Sequence, residues 1–448
     1  MSLDFAWYGD DFTGAAATME ALTFGGIPSV LFLETPDPAQ LQRFPGIRAL
    51  GLASTARTEG PAWMRAHLPE AFRALAALQP RILHYKVCST LDSAPETGSI
   101  GTALEIGCEL FDPAWVPVLI AAPQMRRYQA FGQLFAGVGA EVHRLDRHPV
   151  MARHPVTPMG EADVARHLGA QTALPLGALT LEDYHLGSDQ ALARALRQGK
   201  RALTLDAVDA ASEAEAGRLI WQASAGAEPL FTIGSQGVEY AVIRHLAAQD
   251  GHVIPPMPGS RGAAGPILAV SGSVSPVTAA QIAWARGNGF CTLRLDPAAL
   301  ILGTADLAAL GASALAELQQ GRDVLIYTAE GPEDPGIAAL AAALQQTGQS
   351  ASAANQQIGE SLGRLLCSLT RAAGLKRVVI SGGDTSGHAT RQMGIFALEA
   401  LAPTIPGAAL LRASAEGSFD GLEIALKGGQ MGSEDYFGWI REGGGLRG

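Results

Sequence analysis

The 448-residue sequence predicts an α/β protein with two domains, each a mostly parallel sheet flanked by helices. Short, continuously apolar runs alternate with amphipathic helical stretches along most of the chain. The length exceeds that of one ordinary domain. A stretch rich in proline and glycine, residues 250–265, interrupts the alternation, which then restarts. We therefore expect one domain over residues 1–255 and another over residues 256–448.

Seven apolar runs predict the strands of the first domain, because a strand buried on both faces of a parallel sheet is apolar without alternation. They are FAWYG, SVLFL, IRALGLAS, RILHYKV, VPVLIAA, RALTLDAV and PLFTIGS. After the first strand, TGAAATMEALTFGG predicts a helix that ends at glycine.

Six further runs predict the strands of the second domain: PILAVSGS, CTLRLD, DVLIYTAEG, RVVISGG, ALLRAS and LEIALKGG. QQIGESLGRLLCSLTRAAG predicts a helix between two of these strands, and SEDYFGWI predicts a closing helix. The stretch RVVISGGDTSG changes abruptly from a buried strand to a turn of small, oxygen-rich residues.

Composition limits the classes of partner. The sequence is 48% hydrophobic and 17% charged with a net charge of −11, which argues against a general nucleic-acid or anionic-membrane surface. The 4 cysteines form no C-x-x-C pair, as expected in a reducing compartment. No signal-peptide pattern and no membrane-length apolar run is visible. We expect a cytoplasmic protein with small-molecule ligands, and a homo-oligomer is compatible with the sequence.

Polar side chains follow four predicted strands of the first domain. In open α/β sheets, ligands bind beyond the carboxyl ends of the strands. Acids suit hydroxyl groups and cations suit a carboxylate, so this set suits a small polyhydroxylated anion. The candidates are Asp10, Asp11, Thr13, Ser54, Thr55, Arg57, Lys86, Ser89, Thr90, Asp92, Arg126 and Arg127.

Plainer interpretations of these residues stay open. An Asp-Asp pair before a helix serves as an N-cap in many proteins, and Ser and Thr after a strand form turns. The segment HRLDRHPVMARHPVTPM contains three histidines, His143, His148 and His154, which could ligate a metal. Their spacing matches no recognised zinc pattern, so a rigid, proline-fixed loop or a wall of the substrate cleft is the alternative.

Glycine-rich turns follow three predicted strands of the second domain. Glycine lets backbone N–H groups approach phosphate oxygens, and a helix N-terminus favours an anion. The sequence lacks the P-loop, the dinucleotide fingerprint and the protein-kinase motifs. The turns therefore predict a phosphate or nucleotide site without a standard motif. Its candidates are Ser271, Ser273, Gly382, Gly383, Asp384, Thr385, Lys427 and Gly428.

The motifs WYGDDFTGA, YKVCSTLDS and GSIGTALE resemble the N-terminal domain of the four-carbon acid sugar kinase family. VSGSVSPVTAAQI, VVISGGDTS and LKGGQMG resemble its C-terminal nucleotide-binding domain. The resemblance implies an acid-sugar domain over residues 1–255 and a non-P-loop ATP domain over residues 256–448. Matching by motif, ATP would contact Ser273, Gly382, Gly383, Asp384, Thr385 and Gly428.

Two positions depart from the family pattern. Cys88 stands where many members have aspartate, and Asp92 stands where they have arginine. The second exchange inverts a charge beside the expected substrate. These two positions therefore bear on whether the usual threonate or tetronate is the preferred substrate.

The resulting hypothesis is transfer of the γ-phosphoryl group of ATP to a hydroxyl of a short acid sugar, such as a tetronate or 3-oxo-tetronate. Asp11, or Asp10, accepts the hydroxyl proton, while Arg57 and Lys86 hold the carboxylate. Asp384 is the expected carboxylate for Mg²⁺. An NAD(P)-dependent dehydrogenase or isomerase of acid sugars, and a non-catalytic sugar-acid sensor, stay open as alternatives.

Overall fold

The computed structural model describes residues 3–249 and 251–447, except for the side chain of Asp384. The chain divides into two compact units, Met1–Pro255 and Pro256–Gly448. The described residues 251–265 form neither helix nor strand. Within the described residues, every helix is too short or too polar to cross a lipid bilayer.

The first unit alternates strands and helices, as its apolar runs predict. Its strands are β1 (Leu3–Gly9), β2 (Ser29–Phe32), β3 (Ala49–Ala53), β4 (Pro80–Lys86), β5 (Val116–Leu119), β6 (Arg127–Ala130), β7 (Gln133–Val138), β8 (Glu141–Arg144), β9 (Leu176–Leu179), β10 (Ala202–Leu205) and β11 (Leu230–Gly234). Its helices are α1 (Phe12–Phe24), α2 (Pro38–Gln42), α3 (Pro61–Ala76), α4 (Ile100–Phe111), α5 (Val164–Gly169), α6 (Leu181–Arg197), α7 (Ala210–Ala223) and α8 (Gly237–Ala247).

The main sheet of this unit is parallel and runs in the order β2-β3-β1-β4-β11-β5-β10-β9. Its central strands are buried on both faces, which explains their unbroken apolar runs. Packing between neighbouring strands is close: a Cβ added to Gly51 on β3 would stand 2.0 Å from the Trp7 indole of β1. Only glycine leaves room for that ring.

A second, three-stranded antiparallel sheet in the order β6-β7-β8 lies between β5 and α5 in the chain. The sequence predicted neither these strands nor β9. All four are short and only partly buried, so none carries a continuous apolar run. The proline-rich segment that follows β8 is irregular, as predicted, with two 3₁₀ turns, Leu145–Arg147 and Met151–Arg153.

The second unit is also α/β. Its strands are β12 (Leu268–Ser271), β13 (Cys291–Arg294), β14 (Val324–Tyr327), β15 (Arg377–Ser381), β16 (Ile395–Ala402), β17 (Leu410–Ala415) and β18 (Glu423–Lys427). Its helices are α9 (Pro276–Gly287), α10 (Pro297–Ile301), α11 (Leu307–Gln319), α12 (Pro335–Thr347), α13 (Ala351–Ala373), α14 (Gly383–Gln392) and α15 (Tyr436–Arg441).

Its strands run in the order β13-β14-β12-β15-β18-β17-β16, parallel from β13 to β18 and antiparallel from there to β16. Each apolar run predicted as a strand contains one, and the predicted α/β class is confirmed in both units. Strand β16 was not predicted; four of its eight residues are only partly buried, which breaks the apolar pattern.

Arg377 anchors the second sheet at the start of β15. Its side chain is 1% exposed and binds the Glu423 carboxylate on β18, with 2.8 Å between Nε and Oε2. Its Nη1 also donates to the carbonyl oxygens of Gly262, Ile440 and Arg441, at 2.9, 3.1 and 2.8 Å. One buried cation therefore joins two strands to the chain entering the unit and to its last helix.

Replacing Arg377 with methionine should destabilise the protein by about 3–5 kcal/mol, because it removes the buried partner of the Glu423 carboxylate and the donor to three carbonyls, leaving only the longer contact of Glu423 with Arg261. Urea unfolding followed by tryptophan fluorescence measures the change. Arg412→Met is the matched control: Arg412 is half exposed and binds Glu399 in the same sheet, so its loss should cost less than about 1 kcal/mol. Equal midpoints for the two variants would contradict the anchoring role.

Candidate active site

The carboxyl ends of β1, β3 and β4 bring four charged side chains together, three of them around Gly14. Asp10 and Asp11 follow β1, Arg57 follows β3, and Lys86 ends β4. A Cβ added to Gly14 would stand 2.5 Å from Asp11 Oδ1, 2.8 Å from Lys86 Nζ and 3.6 Å from an Arg57 nitrogen. The charges of three strand ends therefore converge on one glycine in the first turn of α1.

Arg57 bridges the two aspartates. Its Nε and Nη2 donate to the two carboxylate oxygens of Asp10, at 3.1 and 2.7 Å, and Nη2 also donates to Asp11 Oδ1 at 2.7 Å. The backbone strengthens the arrangement, because Arg57 N donates to Asp10 O at 2.9 Å. Asp11 also caps α1 by accepting from the N–H of Gly14 at 2.9 Å. The N-cap interpretation of Asp11 is thus correct, and it coexists with the charged cluster.

Burial distinguishes the two aspartates. The Asp10 side chain is 3% exposed and that of Asp11 is 27% exposed. Burial raises the pKa of Asp10, while the Arg57 guanidinium opposes the rise and the Asp11 charge adds to it. Burial also disfavours the Arg57 cation, yet Asp10, Cys88 and Asp11 hold its pKa well above the ordinary value. Arg57 therefore stays charged and holds both carboxylates in place.

Lys86 is a buried cation without a carboxylate partner among the described residues. The residue is 2% exposed, and its Nζ donates to the carbonyl oxygen of Val87 at 2.6 Å. No described carboxylate lies within 4.0 Å of Nζ. An ammonium group has three donors, so this one has capacity left for an anion beside Gly14.

The loop after β4 holds the remaining candidates of the first unit. Cys88 Sγ lies 3.0 Å from Thr90 Oγ1, and Thr90 donates to Asp92 Oδ1 at 2.9 Å. Burial raises the pKa of the Cys88 thiol to about 11, and the Asp92 charge adds to that rise. Ser89 is buried in the same loop, and Thr13 is half-buried in the first turn of α1.

Two sequence candidates have structural roles. Ser54 donates to the carbonyl oxygen of Gly9 at 2.8 Å and so joins the ends of β3 and β1. Arg126 turns to the β7–β8 loop, where it donates to the carbonyl oxygens of Gly139, Ala140 and Glu141. The histidine-rich segment forms no metal cluster among the described side chains.

In the second unit, the ends of β12, β15 and β18 lie side by side. Ser271 pairs with Ser381, and Ser381 pairs with Lys427, so the three residues are level across the sheet. Backbone bonds continue past the strands, from Gly272 N to Ser381 O at 3.1 Å and from Gly382 N to Lys427 O at 2.9 Å. The three predicted glycine-rich turns therefore lie next to one another.

The turn after β15 differs from its prediction, because α14 begins directly at Gly383. Gly382 caps this helix with a φ of 121°, a conformation that favours glycine. The first ladder bond runs from Ser386 N to Gly382 O at 3.0 Å. The preceding N–H groups, those of Gly383 to Thr385, lie in the first turn, where a helix binds anions.

Two glycines are required by close approach. A Cβ on Gly272 would stand 2.5 Å from Thr385 Oγ1, and one on Gly429 would stand 2.2 Å from Ser273 Oγ. Hydroxyl groups fill the space between these turns. Ser275 and Thr278 donate to the carbonyl oxygen of Gly429, at 2.5 and 2.9 Å, and Thr278 Oγ1 also lies 3.0 Å from the Ser273 hydroxyl, from which it can accept.

Lys427 is the second unit's counterpart of Lys86. It is 2% exposed, its Nζ donates to the carbonyl oxygen of Gly428 at 3.2 Å, and Nζ lies 5.9 Å from the centre of the Tyr436 ring. No described carboxylate lies within 4.0 Å of Nζ. Burial lowers the pKa of Lys427 to about 8. An anion at this turn would compensate the buried charge.

A cavity of about 210 Å³ adjoins the turns and was not predicted from the sequence. It begins at Gly272 and Thr385 and extends between α10, α12 and α13. Its walls are mostly apolar, with the amide of Asn355 and the hydroxyl of Thr328 as polar groups, a composition that suits a nucleobase. The apolar wall residues are Val274, Pro297, Ala329, Ile337, Leu340 and Ile358.

The metal prediction concerns Asp384, whose side chain lies outside the described residues. Elsewhere in the described chain, no group of three His, Cys, Asp or Glu side chains could hold a metal ion. A Mg²⁺ ion bound mainly through nucleotide phosphates needs only one or two protein carboxylates. The site residues are therefore compatible with a metal that arrives with its nucleotide.

Two family models match the chain. Residues 5–242 match a sugar-binding N-terminal domain, and residues 268–437 match a nucleotide-binding C-terminal domain. The 3-oxo-isoapionate kinase of Paraburkholderia graminis is 46% identical over 98% of this chain and 94% of its own. The 3-oxo-tetronate kinase of Methylobacterium radiotolerans is 31% identical over 98% of each chain. The chain therefore belongs to the four-carbon acid sugar kinase family.

Solved structures agree on the fold. A Salmonella typhimurium LT2 protein, provisionally described as a tRNA synthase, matches with a TM-score of 0.76 at 24% identity over 98% of each chain. A Haemophilus influenzae protein matches with a TM-score of 0.73 at 22% identity, over 97% of this chain and 99% of its own. At such identities the likeness concerns the fold alone.

Lys427 predicts a pH dependence of nucleotide affinity. Its ammonium loses a proton from about pH 8 upward in the free protein, so binding a phosphate there requires proton uptake. The affinity for ATP should be independent of pH below that value and should fall by at most about tenfold per pH unit above it. Calorimetry measures the affinity, and NMR of ¹³Cε-labelled lysine follows the group itself, with Lys427→Met assigning its signal. An ATP affinity that stays constant up to pH 9.5, ~1.5 units above the pKa of Lys427 in the free protein, would contradict a role for the charged lysine in phosphate binding.

Proposed function

We propose that the protein is a kinase that transfers the γ-phosphoryl group of ATP to a hydroxyl of a short 3-oxo acid sugar, with 3-oxo-isoapionate as the first candidate. The observation that carries the proposal is the convergence of Asp11, Arg57 and Lys86 on Gly14. This cluster offers a partly exposed carboxylate beside a buried cation. A substrate that receives the phosphoryl group on a hydroxyl and also carries a negative charge needs both: the carboxylate to accept the hydroxyl proton and the cation to balance the charge.

Asp11 is the better candidate for the base. Both oxygens of Asp10 are occupied by Arg57, and the side chain is buried. Asp11 is more exposed and accepts its described hydrogen bonds at Oδ1 only. Its Oδ2 can therefore accept a proton from a substrate hydroxyl. Asp10 then acts through Arg57, by fixing the guanidinium that orients Asp11.

The second unit supplies the groups for the nucleotide. Backbone N–H groups at the start of α14 and the buried Lys427 would hold the phosphates, with Ser273 and Gly428 beside them. ATP would supply the phosphoryl group. Mg²⁺ would neutralise its charge, and the Asp384 carboxylate would help to hold the metal ion. The cavity lined by Val274, Ile337 and Ile358 would hold the adenine. A dinucleotide cofactor has less support, because the turns carry no dinucleotide fingerprint.

The substrate assignment follows the relative that shares 46% identity, which is named a 3-oxo-isoapionate kinase. The Cys88–Thr90–Asp92 chain lies next to the proposed site and places a carboxylate where many family members have arginine. A carboxylate pairs with substrate hydroxyls and repels a substrate carboxylate. It therefore favours an acceptor that presents a hydroxyl group at that end.

The test is an ADP-release assay with 3-oxo-isoapionate, 3-oxo-tetronate and threonate. We expect the fastest turnover with 3-oxo-isoapionate. Thermal-shift measurements with ATP, NAD and NADP accompany the assay, because a dehydrogenase would be stabilised by the dinucleotides. Two outcomes would contradict the proposal. One is stabilisation by NAD or NADP while no acid sugar causes ATP to be converted to ADP. The other is binding of an acid sugar without turnover.

Asp11→Asn should lower kcat by roughly 100- to 10,000-fold while the affinity for ATP stays unchanged, because asparagine retains the helix cap but accepts no proton. Asp209→Asn is the matched control, since Asp209 caps α7 of the same unit by accepting from Ser212 N at 2.9 Å. The control should retain full activity. Near-normal turnover by the Asp11 variant would remove Asp11 as the base.

Gly383→Val should weaken ATP binding at least about tenfold, or about 1.4 kcal/mol, by occupying the space above the first turn of α14. A Cβ at Gly383 meets no atom within 4 Å, so the variant should fold. Gly387→Val has the same freedom one turn later in the helix and serves as the control. Calorimetry with ATP compares the variants, and equal affinities would contradict the nucleotide assignment.

A further inference from the structure

Arg127 and His148 are polar side chains of the first unit that the proposed mechanism leaves unused. Arg127 begins β6, and His148 follows the 3₁₀ turn Leu145–Arg147. Both belong to the segment between β5 and α5 that contains the three-stranded sheet. Each is held rigidly by backbone groups while part of its donor capacity has no described acceptor.

Arg127 is fixed through one nitrogen. Its Nη1 donates to the carbonyl oxygens of Met125, Arg126 and Gly137, at 3.1, 3.2 and 3.3 Å. Its Nε is buried without an acceptor, and no described residue accepts from Nη2. No described carboxylate lies within 4.0 Å of the guanidinium. Nη2 therefore has donor capacity left for an anion, while Nε is a buried donor whose lost hydration no described acceptor replaces.

His148 is fixed in one tautomer. Its Nδ1 accepts from the N–H groups of Val150 and Met151, both at 3.2 Å, so a neutral ring carries its proton on Nε2. The residue is 5% exposed, and no described residue accepts from Nε2. Burial lowers the pKa of His148, and the charges of Arg127 and His143 lower it further. The neutral ring is therefore a hydrogen-bond donor of fixed direction.

The segment uses the same turn twice. Arg-His-Pro-Val occurs at residues 147–150 and again at residues 153–156. In the second copy, His154 Nδ1 accepts from Thr157 N at 3.1 Å, as His148 Nδ1 does from Met151 N. His154 is half-buried, whereas His148 is buried. Arg127 pairs with Ala136 and Ala136 pairs with His143 in the small sheet, and the His143 and His148 rings lie 5.9 Å apart, which brings His148 near Arg127. The repeat thus provides one histidine near Arg127 and one with the same local fold elsewhere.

Backbone bonds place Arg127 at the same edge of the sheet as Lys86, beyond the end of β5, which is two strands from β4. Val87 N donates to Gly234 O at 2.7 Å, and Ser235 N donates to Leu119 O at 3.0 Å, so the ends of β4, β11 and β5 follow one another. Ala122 then exchanges two backbone bonds with Arg127, at 2.9 and 3.2 Å. Burial lowers the pKa of Arg127, while Cys88 and Asp92 partly restore it, which agrees with that position.

We propose that Arg127 and His148 form the carboxylate-binding end of the acid-sugar site. Arg127 Nη2 donates to the carboxylate, and His148 Nε2 donates to one of its oxygens or to the adjacent oxo group. Thr90 and Asp92 lie in the loop that follows Lys86, and the Asp92 charge acts on Arg127, so the substrate hydroxyls would lie along this loop. The inference rests on the proposed function and adds the residues that recognise the acid.

This assignment differs from the sequence-based hypothesis, in which Arg57 and Lys86 hold the carboxylate. Arg57 already uses Nε and Nη2 on two aspartates. A substrate carboxylate beside Asp10 and Asp11 would also meet two negative charges. Lys86 is then left to balance the charge near the reacting hydroxyl, and the acid group lies at the opposite end of the substrate.

The test compares 3-oxo-isoapionate with its methyl ester, which lacks the charge. Arg127→Gln and His148→Asn are the variants. Asparagine can accept from the turn N–H groups in place of Nδ1 but has no donor at the Nε2 position. We expect either variant to raise KM for the acid by about 10- to 100-fold, to leave KM for ATP unchanged and to reduce the preference for acid over ester.

Arg144→Gln in β8 and His154→Asn in the second copy of the turn are the controls, and both should keep the wild-type preference. If Arg127→Gln melts well below Arg144→Gln, then Arg127→Lys decides, because it keeps the charge and loses the planar fork; it should show a reduced preference. Unchanged acid-over-ester preference in the folded variants overturns the inference while the wild-type turnover still supports the proposed function. Absence of wild-type ADP release with any acid sugar instead removes the proposed function itself.

Discussion

The bridge that Arg57 makes between Asp10 and Asp11 is the interaction on which the first-unit site depends. Two adjacent carboxylates, one of them buried, would repel each other at the end of β1 without a cation between them. Removing one member of such a buried group costs about 3–5 kcal/mol, because the others remain charged and unpaired. The parallel register of β1 and β3 delivers the arginine from a different strand, so the sheet itself assembles the site.

Each unit also buries one lysine without a described carboxylate partner, Lys86 in the first and Lys427 in the second. Burying an unpaired charge is costly, so a position that retains one is suited to an anionic ligand. Both lysines occupy the last residue of a strand, and each donates to the carbonyl oxygen of the residue that follows it. The two units thus use the same device for different anions: an acid sugar and a nucleotide phosphate in the proposed function.

Glycine placement makes the second-unit site possible, because backbone N–H groups must approach the ligand directly. Gly272 and Gly429 leave space that a Cβ would take from Thr385 and Ser273, and Gly382 adopts a conformation that favours glycine. The hydroxyl network of Ser275 and Thr278 then fixes the turn at Gly429. The site is therefore formed by the backbone of three turns that are far apart in the chain, so no single continuous motif marks it in the sequence.

The sequence by itself determined the continuously apolar strands, the α/β class, the family and most of the residues at the ends of those strands. A buried strand has a local apolar signature, and its end is marked by a change to polar residues. Contacts between distant segments were decided only by the tertiary structure. Examples are the partners of Arg57, the start of α14 at Gly383, the cavity beside Thr385 and the fixed donors of Arg127 and His148. The short strands β6 to β9 also escaped prediction, since half-buried strands are stabilised by pairing and not by an apolar run. Periodicity reports what a segment buries, whereas the direction of a side chain depends on neighbours that the chain brings from far away.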